Sequence, residues 1–598
     1  MGTREYMYQN GKNIHVLIPL WGVLFVLYIY IPFRIWDFSP VFEQIEEWTL
    51  SCLFLSFSCL GIMFFSLKRK DANSISVSWI DVLIAIYGIY SLLRSPCLSR
   101  DTESQIRILT LFLIYFHLRI LPITYLHVCL SLICLSIVGN LFYEISLFQN
   151  PWDTTAGIEG LFHNTGLFGG FVGIGVVCSL WALLYKYPSR ISGSVLFVFF
   201  LIQLYVSASR ASWVGVLSCA FFLVLRWIFD REKQPLTPKM KTIGSIGISV
   251  TLLVVIAIFY LMRPESANGR LYIWQVTSRI FFKSPINGIG ENMFRSQYMT
   301  EQAMYLQENP SSPFSMIADE STVPFNEFIR VLTEQGIIGF VLLGMLIWRC
   351  FSFPTLSETS FLAHKWRIVF MAVFLYLLLF SFFSYPSVYI QYQIIFLLCI
   401  AALAHFDTQK IFSVSRLNKW VVAGLFSLYL FWGSYKSVRY LSFMNQWNEC
   451  LKSRTYGFAT QTQEMQLLHN HLSHNSQFLI SYAYTLMREE AYESATTIWK
   501  ELLQMQPSYH AWLQLGICYE KQAVYDKAIY CWGMASAMIP SRFRPDYLCI
   551  QVYLKQNDME RSKQMMHKFL MREQKVDSPE VDRMRDDVRQ WADSLPIP

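Results

Sequence analysis

The chain is divided into about thirteen apolar runs, most near the ~20 residues a helix needs to cross a bilayer. They fall at 15–33, 49–67, 79–93, 106–122, 124–148, 162–185, 193–209, 212–229, 243–262, 336–352, 368–385, 388–405 and 419–435. Inside a membrane every backbone polar group must be paired within the segment, so such runs fold as helices. Only 15% of the residues are charged and 54% are hydrophobic, whereas soluble domains are about a quarter charged. The expected fold is therefore an all-α, polytopic helical membrane protein of about 12–13 spans with a large outer loop and a C-terminal α-solenoid. Lys and Arg gather in alternate loops, such as Lys68/Arg69/Lys70, Lys186/Arg190 and Arg226/Arg231/Lys233, while 35–48 and 150–160 are acidic or neutral. The loop at 94–107, with three arginines, is the exception. The bias orients the N-terminus inward and puts the 263–324 loop and the C-terminus outside. The first run has no cleavage site before or within it and is expected to remain as a membrane helix.

The thirteen cysteines form no CxxC pair, so neither a zinc site nor a disulfide framework is indicated. "HNHLSHN" (469–475) clusters three histidines, but no carboxylate or cysteine joins them at ligand spacing, and a solvated linker is the plainer reading. Past residue 435 the composition is that of a soluble domain. Tyr492, Ala495, Trp499 and Pro507 recur 33 residues on as Tyr525, Ala528, Trp532 and Pro540. That period is the mark of tetratricopeptide repeats, and 558–570 reads as a weaker third unit. The expected domains are 1–435 for the membrane part, with 263–335 as its large loop, a linker at 436–475, and helical repeats at 476–598. Stacked helix pairs of this kind bind proteins.

Polar side chains beside membrane spans are costly and mark candidate functional sites. Three groups stand out. Arg210 sits in "VSASRASW" (206–213), a short turn between two spans. The guanidinium fork matches phosphate, although a headgroup-snorkelling arginine is the plain alternative. In "NGRLYIWQVTSRIFFKSPINGIGENMF" (268–294), Arg270, Arg279 and Lys283 punctuate an amphipathic stretch expected to lie along the membrane surface. Its GxG lacks the strand and third glycine of a dinucleotide fingerprint. In "STVPFNEFIRVLTEQGIIG" (321–339), Glu327, Arg330 and Glu334 share a helical face, which by itself reads as an exposed ion-pair ladder.

Taken in order, "GR.YIW......F..SP..G.G...F" followed by "FNEFIRVLTEQGIIG" before a span resembles the O-antigen ligase family over roughly 150–405, and "SYP" at 384–386 also fits. The resemblance implies transfer of a glycan from undecaprenyl diphosphate to an acceptor hydroxyl on the periplasmic face of a bacterial inner membrane. It implies no metal, nucleotide sugar or other cofactor, and no nucleic-acid partner. The acceptor would be lipid A–core, a protein or a growing glycan, and the repeats would dock a protein partner or acceptor. Arg210 and Arg270 match the family's arginines and would clamp the diphosphate, with Arg279 beside them. The family places a base histidine where this chain has Phe325, followed by matching Asn326, Phe328, Glu334, Gly336 and Gly339. Glu327 with Asn326 is then the expected catalytic pair; Glu320, Glu334 and His163 are accessory candidates. A lipid-linked glycan transporter is the competing class, but no acidic pair within a span marks a coupling-ion site.

Overall fold

A computed structural model describes residues 55, 76–95, 102–147, 162, 164–232, 257, 260, 264–352, 361–407, 410–413, 416–452 and 458–594. The expected spans at 15–33, 49–67 and 243–262 lie outside the described residues, apart from those single positions. The chain divides into two compact units. One is Met1–Arg263, Phe325–Phe328 and Ile338–Leu441; the other is Pro264–Pro324, Ile329–Ile337 and Ser442–Pro598.

The first unit is a helical bundle. Its described elements are β1 (Ser76–Ser78), α1 (Trp79–Arg94), α2 (Thr102–Ile120), α3 (Ile123–Leu147), α4 (Thr165–Tyr185), α5 (Arg190–Val206) and α6 (Arg210–Glu232). Beyond the other unit's insertion they continue with most of α9 (Glu327–Phe351), then α10 (Phe361–Ser381), α11 (Ile390–Phe406), β2 (Lys410–Ser413) and the start of α12 (Arg416–Lys452). Thr165–Tyr185, Arg210–Arg231, Glu327–Phe351 and His364–Ser381 are long and apolar enough to cross a membrane. The 17-residue α5 and α11 are apolar but shorter. Along α5, Ile191, Val195, Val198, Ile202 and Tyr205 are all exposed, a face that lipid, not water, satisfies. β1 and β2 pair antiparallel, Val77 opposite Phe412, adding a short ribbon to an otherwise helical fold.

Helix α4 is the centre of the bundle because its small residues let neighbours approach. A Cβ on Gly173 would lie 2.1 Å from the Tyr376 hydroxyl and one on Gly170 2.2 Å from Phe380, so α10 packs directly on the α4 backbone. Tyr376 and Tyr392 donate to the Gly170 and Leu167 carbonyls. At the end of the bundle holding Tyr185, polar pairs tie the helices: the ion pairs Arg349–Asp407 (2.6 Å) and Arg119–Asp81 (2.8 Å), and a His364–Asp230 hydrogen bond (3.1 Å) to a carboxylate that Arg226 also pairs from within α6. The opposite end holds Asn164, the 207–209 turn and the start of α9.

The second unit joins the large loop to the repeats. Its loop helices are α7 (Pro264–Lys283) and α8 (Phe294–Glu308). After α13 (Phe458–Leu472) come the hairpins α14/α15 (Ser476–Arg488, Tyr492–Met505), α16/α17 (Tyr509–Lys521, Tyr525–Met538) and α18/α19 (Arg544–Lys555, Met559–Met571), then α20 (Pro579–Ser594). Residues 436–475, read as a linker, are helical over 436–452 and 458–472. His469 bonds Glu501 (2.7 Å) and His471 stacks on Phe443, so this stretch is packed instead of being a solvated linker.

The repeat signature is explained by burial. Ala495 and Ala528 are fully buried, as are Trp499 and Trp532. Trp532 Nε1 donates to the Leu513 carbonyl of its hairpin partner. The repeat is also written in the backbone, since Glu490, Ala523 and Asn557 adopt φ of 59°, 58° and 56°. Each is the left-handed residue that ends the first helix of its hairpin, and the following amide bonds back to Leu486, Tyr519 and Tyr553 respectively. Ala523 is exposed and carries the left-handed penalty without packing in return. Ala523→Gly should therefore raise stability by about 0.5–1 kcal/mol, whereas Ala528→Gly, buried within α17, should lower it. The midpoint of thermal unfolding in nanodiscs reads both; a lower midpoint for Ala523→Gly contradicts the assignment.

Candidate functional site

Two sets of polar residues matter, one in each unit. In the first unit, Asn164 caps α4 by accepting from Leu167 N (3.0 Å), and its amide donates to the Tyr385 hydroxyl (3.2 Å). Tyr385 in turn meets the Phe325 ring edge-on at 5.1 Å. Ser209, in the turn before α6, donates to the Gly166 carbonyl (3.0 Å) and shares a hydrogen bond with Ser212 (2.7 Å). Arg210, half-buried, is the first residue of α6, and Ala208 takes φ 52° in the turn before it. Asn326, 1% exposed, precedes α9 and accepts from Phe328 N (3.0 Å), as a helix N-cap does. Glu327 opens the helix. Its Oε1 accepts from both the backbone N (3.0 Å) and the hydroxyl of Ser387. The "SYP" stretch thus runs directly into the residue that holds the expected catalytic carboxylate. Tyr385 is the tyrosine of that motif and Ser387 follows it directly, whereas Asn164 carries no sequence signal of its own beyond a helix cap.

Phe325, where the family's histidine was expected, has φ 53°. A bulky residue in the left-handed region is strained, and such strain gathers at functional sites.

In the second unit, α9 is broken at Gly336 (φ 68°, ψ −169°), and the "SPINGIG" turn fills the break. Ile289 N and Gly290 N donate to the Thr333 and Glu334 carbonyls (3.0 and 2.8 Å), and Ile337 N donates to Pro285 (2.9 Å). Gly288 (φ 71°) lies against the same backbone: its Cβ would be 2.3 Å from Glu334 O, and a Cβ on Gly336 would be 2.2 Å from Ile286 O. The two glycines are therefore needed by each other. The GxG that is no dinucleotide fingerprint is a backbone lock.

Glu334 is 3% exposed, not part of an exposed ladder. Its Oε1 accepts from Phe294 N (3.0 Å) at the start of α8, where Met293 offers no side-chain cap. Arg279 was expected on the donor diphosphate. Its fork is instead taken by Glu308 (2.8 and 3.2 Å), with Nε on the buried Glu301 (3.0 Å), which also pairs with Lys283. The Glu308 hydrogen bond raises the Arg279 pKa and holds the Glu308 carboxyl below its usual range. Arg279 thus closes the α7–α8 hairpin. The amphipathic reading of α7 also changes, because Tyr272, Val276 and Ile280 are buried in a protein core and do not face a membrane. Arg270 is half-buried near the start of α7. Glu320 stands at an exposed position, with its carboxyl lifted by partial desolvation and by Asp319, against Arg542. His163 lies outside the described residues. No group of three or more potential metal-ligating side chains occurs among the described residues.

The core of this unit spans loop and repeats. Gln302, fully buried, donates to the Asp319 carbonyl (3.1 Å) and the Met538 carbonyl (2.8 Å) and accepts from Tyr298. One amide side chain thus joins α8, the segment leading toward Asn326, and the end of the second repeat.

Residues 195–344 match a family model described as O-antigen ligase. Over that segment, about a quarter of its length, the chain is similar to O-antigen ligases. The matched residues run from α5 through the break in α9 and include Arg210, Arg270, Asn326, Glu327 and both lock glycines. They exclude Asn164, Tyr385 and Ser387. No curated protein matches the chain. Among solved structures, the crystal structure of the APC/C hetero-tetramer Cut9–Hcn1 is similar at 12% identity and TM-score 0.23, over 94% of this chain and 98% of that one. That likeness is too loose to carry a conclusion.

Alanine at Gly288 or Gly336 should cost about 2–4 kcal/mol, from the left-handed backbone and the crowded Cβ together. Faster amide exchange at Ile289, Gly290 and Ile337 is the expected readout, with the α18–α20 amides unchanged.

Proposed function

We propose that the protein transfers a glycan from a lipid diphosphate carrier, undecaprenyl diphosphate, to an acceptor hydroxyl. In this reading it works in a bacterial inner membrane, with the 207–210 turn, the large loop and the repeats on the periplasmic side. The O-antigen ligase match over 195–344 is the observation that carries the proposal. The polar groups gathered at one end of the bundle support it.

Arg210 and Arg270 would bind the diphosphate and stabilise the charge that builds on it as the bond from the sugar C1 breaks. The acceptor oxygen forms the new bond to C1, and its proton passes to Glu327. Ser387 orients that carboxylate through two hydrogen bonds to Oε1, and Asn326 fixes the backbone at the start of the helix. Phe325 supplies no proton acceptor, which is why the role falls to Glu327.

A protein acceptor is the second reading. The observation favouring it is the repeat domain's shared core with the loop through Met538 and Ile539, which puts a protein-binding fold in one compact unit with the loop. A lipid A–core acceptor or a growing glycan are the remaining members of the same class.

In a strain lacking the gene, Arg210→Ala and Arg270→Ala should each reduce glycan transfer by about 100-fold to 1,000-fold at unchanged membrane level. Glu327→Gln should cost about 100-fold or more. Full transfer by both arginine variants would refute the diphosphate clamp. Full transfer by Glu327→Gln would move the base elsewhere.

A further inference from the structure

In the second unit Tyr272, Val276 and Ile280 of α7 turn inward, but the end of the helix and the turn that follows it do not share in that burial. Phe282 is 72% exposed and Ile286 62%. Ile337, whose amide bonds Pro285, is 48% exposed. The backbone lock at Gly288 and Gly336 therefore presents three large apolar side chains around one short stretch of chain. Further back on the exposed side of α7, Gln275 and Ser278 separate this end from Leu271, which is 48% exposed, and Gln275 donates to the Tyr305 hydroxyl. The apolar exposure is greatest at the end of α7 next to the break in α9, where Phe282 and Ile286 are both more exposed than Leu271.

Ile337 is also the point at which α9 becomes a lipid-facing span. Ile338, Phe340, Val341, Met345 and Trp348 follow it and are all exposed, as expected of a helix bathed in acyl chains. The patch is thus continuous along the chain with a surface that already belongs to lipid.

We propose that the 281–287 turn is a membrane-dipping wedge. Phe282, Ile286 and Ile337 insert among the phospholipid acyl chains of the leaflet in which α9 ends. The wedge fixes the large loop at headgroup depth through the turn, and α7 itself does not lie lengthwise on the membrane. The proposal depends only on α9 crossing the bilayer, so it stands or falls separately from glycan transfer.

The test uses the full-length protein in nanodiscs of phosphatidylethanolamine and phosphatidylglycerol. A photoreactive p-benzoyl-phenylalanine replaces Phe282, Ile286, Val341 or Met571, one at a time, and covalent phospholipid adducts are read by mass spectrometry after irradiation. Val341 is the position within the span. Met571, 72% exposed in α19, is an equally exposed apolar position of the repeats. Phospholipid adducts at 282 and 286 comparable with those at 341, and absent at 571, are expected. The two wedge positions keep the test decisive if one variant fails to fold. Three outcomes would overturn the wedge: no lipid adducts at 282 and 286 while 341 labels; adducts there to a second protein copy instead of phospholipid; or equal labelling at 571.

Discussion

The contact on which the loop depends is made of backbone alone. At Gly336 α9 breaks, and three amide hydrogen bonds from the 285–290 turn and Ile337 fill the gap that the break opens. Because the partners are peptide groups, the contact tolerates no Cβ at Gly288 or Gly336. Glu334, two residues before the break, then reaches the first amide of α8 and fixes that helix against the same point. Arg279 and Lys283 close the hairpin on Glu301 and Glu308. The large loop thereby becomes a folded body instead of a tether.

The repeats extend this body. Met538 and Ile539 complete the hydrophobic core of α7 and α8, and Gln302 bonds the carbonyls of Asp319 and Met538 with a single side-chain amide. A buried amide with all its bonds made specifies geometry, since any shift leaves a polar atom unpaired. The C-terminal helices are thus a structural part of the loop. Whatever binds to the repeats has a packed route to the segment that leads toward Asn326.

Much of this was legible in the sequence, for identifiable reasons. Apolar runs report on helices in lipid, and a 33-residue period in Ala, Trp and Pro reports on stacked hairpins, because both are local patterns. Side-chain partners across the chain are not local. "GIG" and "EQGIIG" each look like loose glycine motifs, and only their apposition shows why both need glycine. Arg279 carries the right charge for a diphosphate, but Glu301 and Glu308 lie a helix away and take its fork. Glu334 falls on a helical face with Glu327, yet the break at Gly336 and the start of α8 bury it. Ser387 carries no motif of its own, and its pairing with Glu327 depends on α9 and the 386–388 turn meeting in space. Phe325 is the reverse case. The sequence shows that the family's histidine is absent, and its left-handed backbone marks the position as constrained all the same.

The most direct measurement of the central claim is chemical. Full-length protein in nanodiscs is supplied with an undecaprenyl-diphosphate-linked saccharide and a hydroxyl acceptor, either a lipid A–core preparation or a Ser/Thr-containing exported protein. Mass spectrometry then follows the carrier. Glycan transfer predicts that undecaprenyl diphosphate appears in step with loss of the linked donor and gain of glycosylated acceptor. A donor that stays intact with every acceptor class, or that only changes leaflet, would contradict the account.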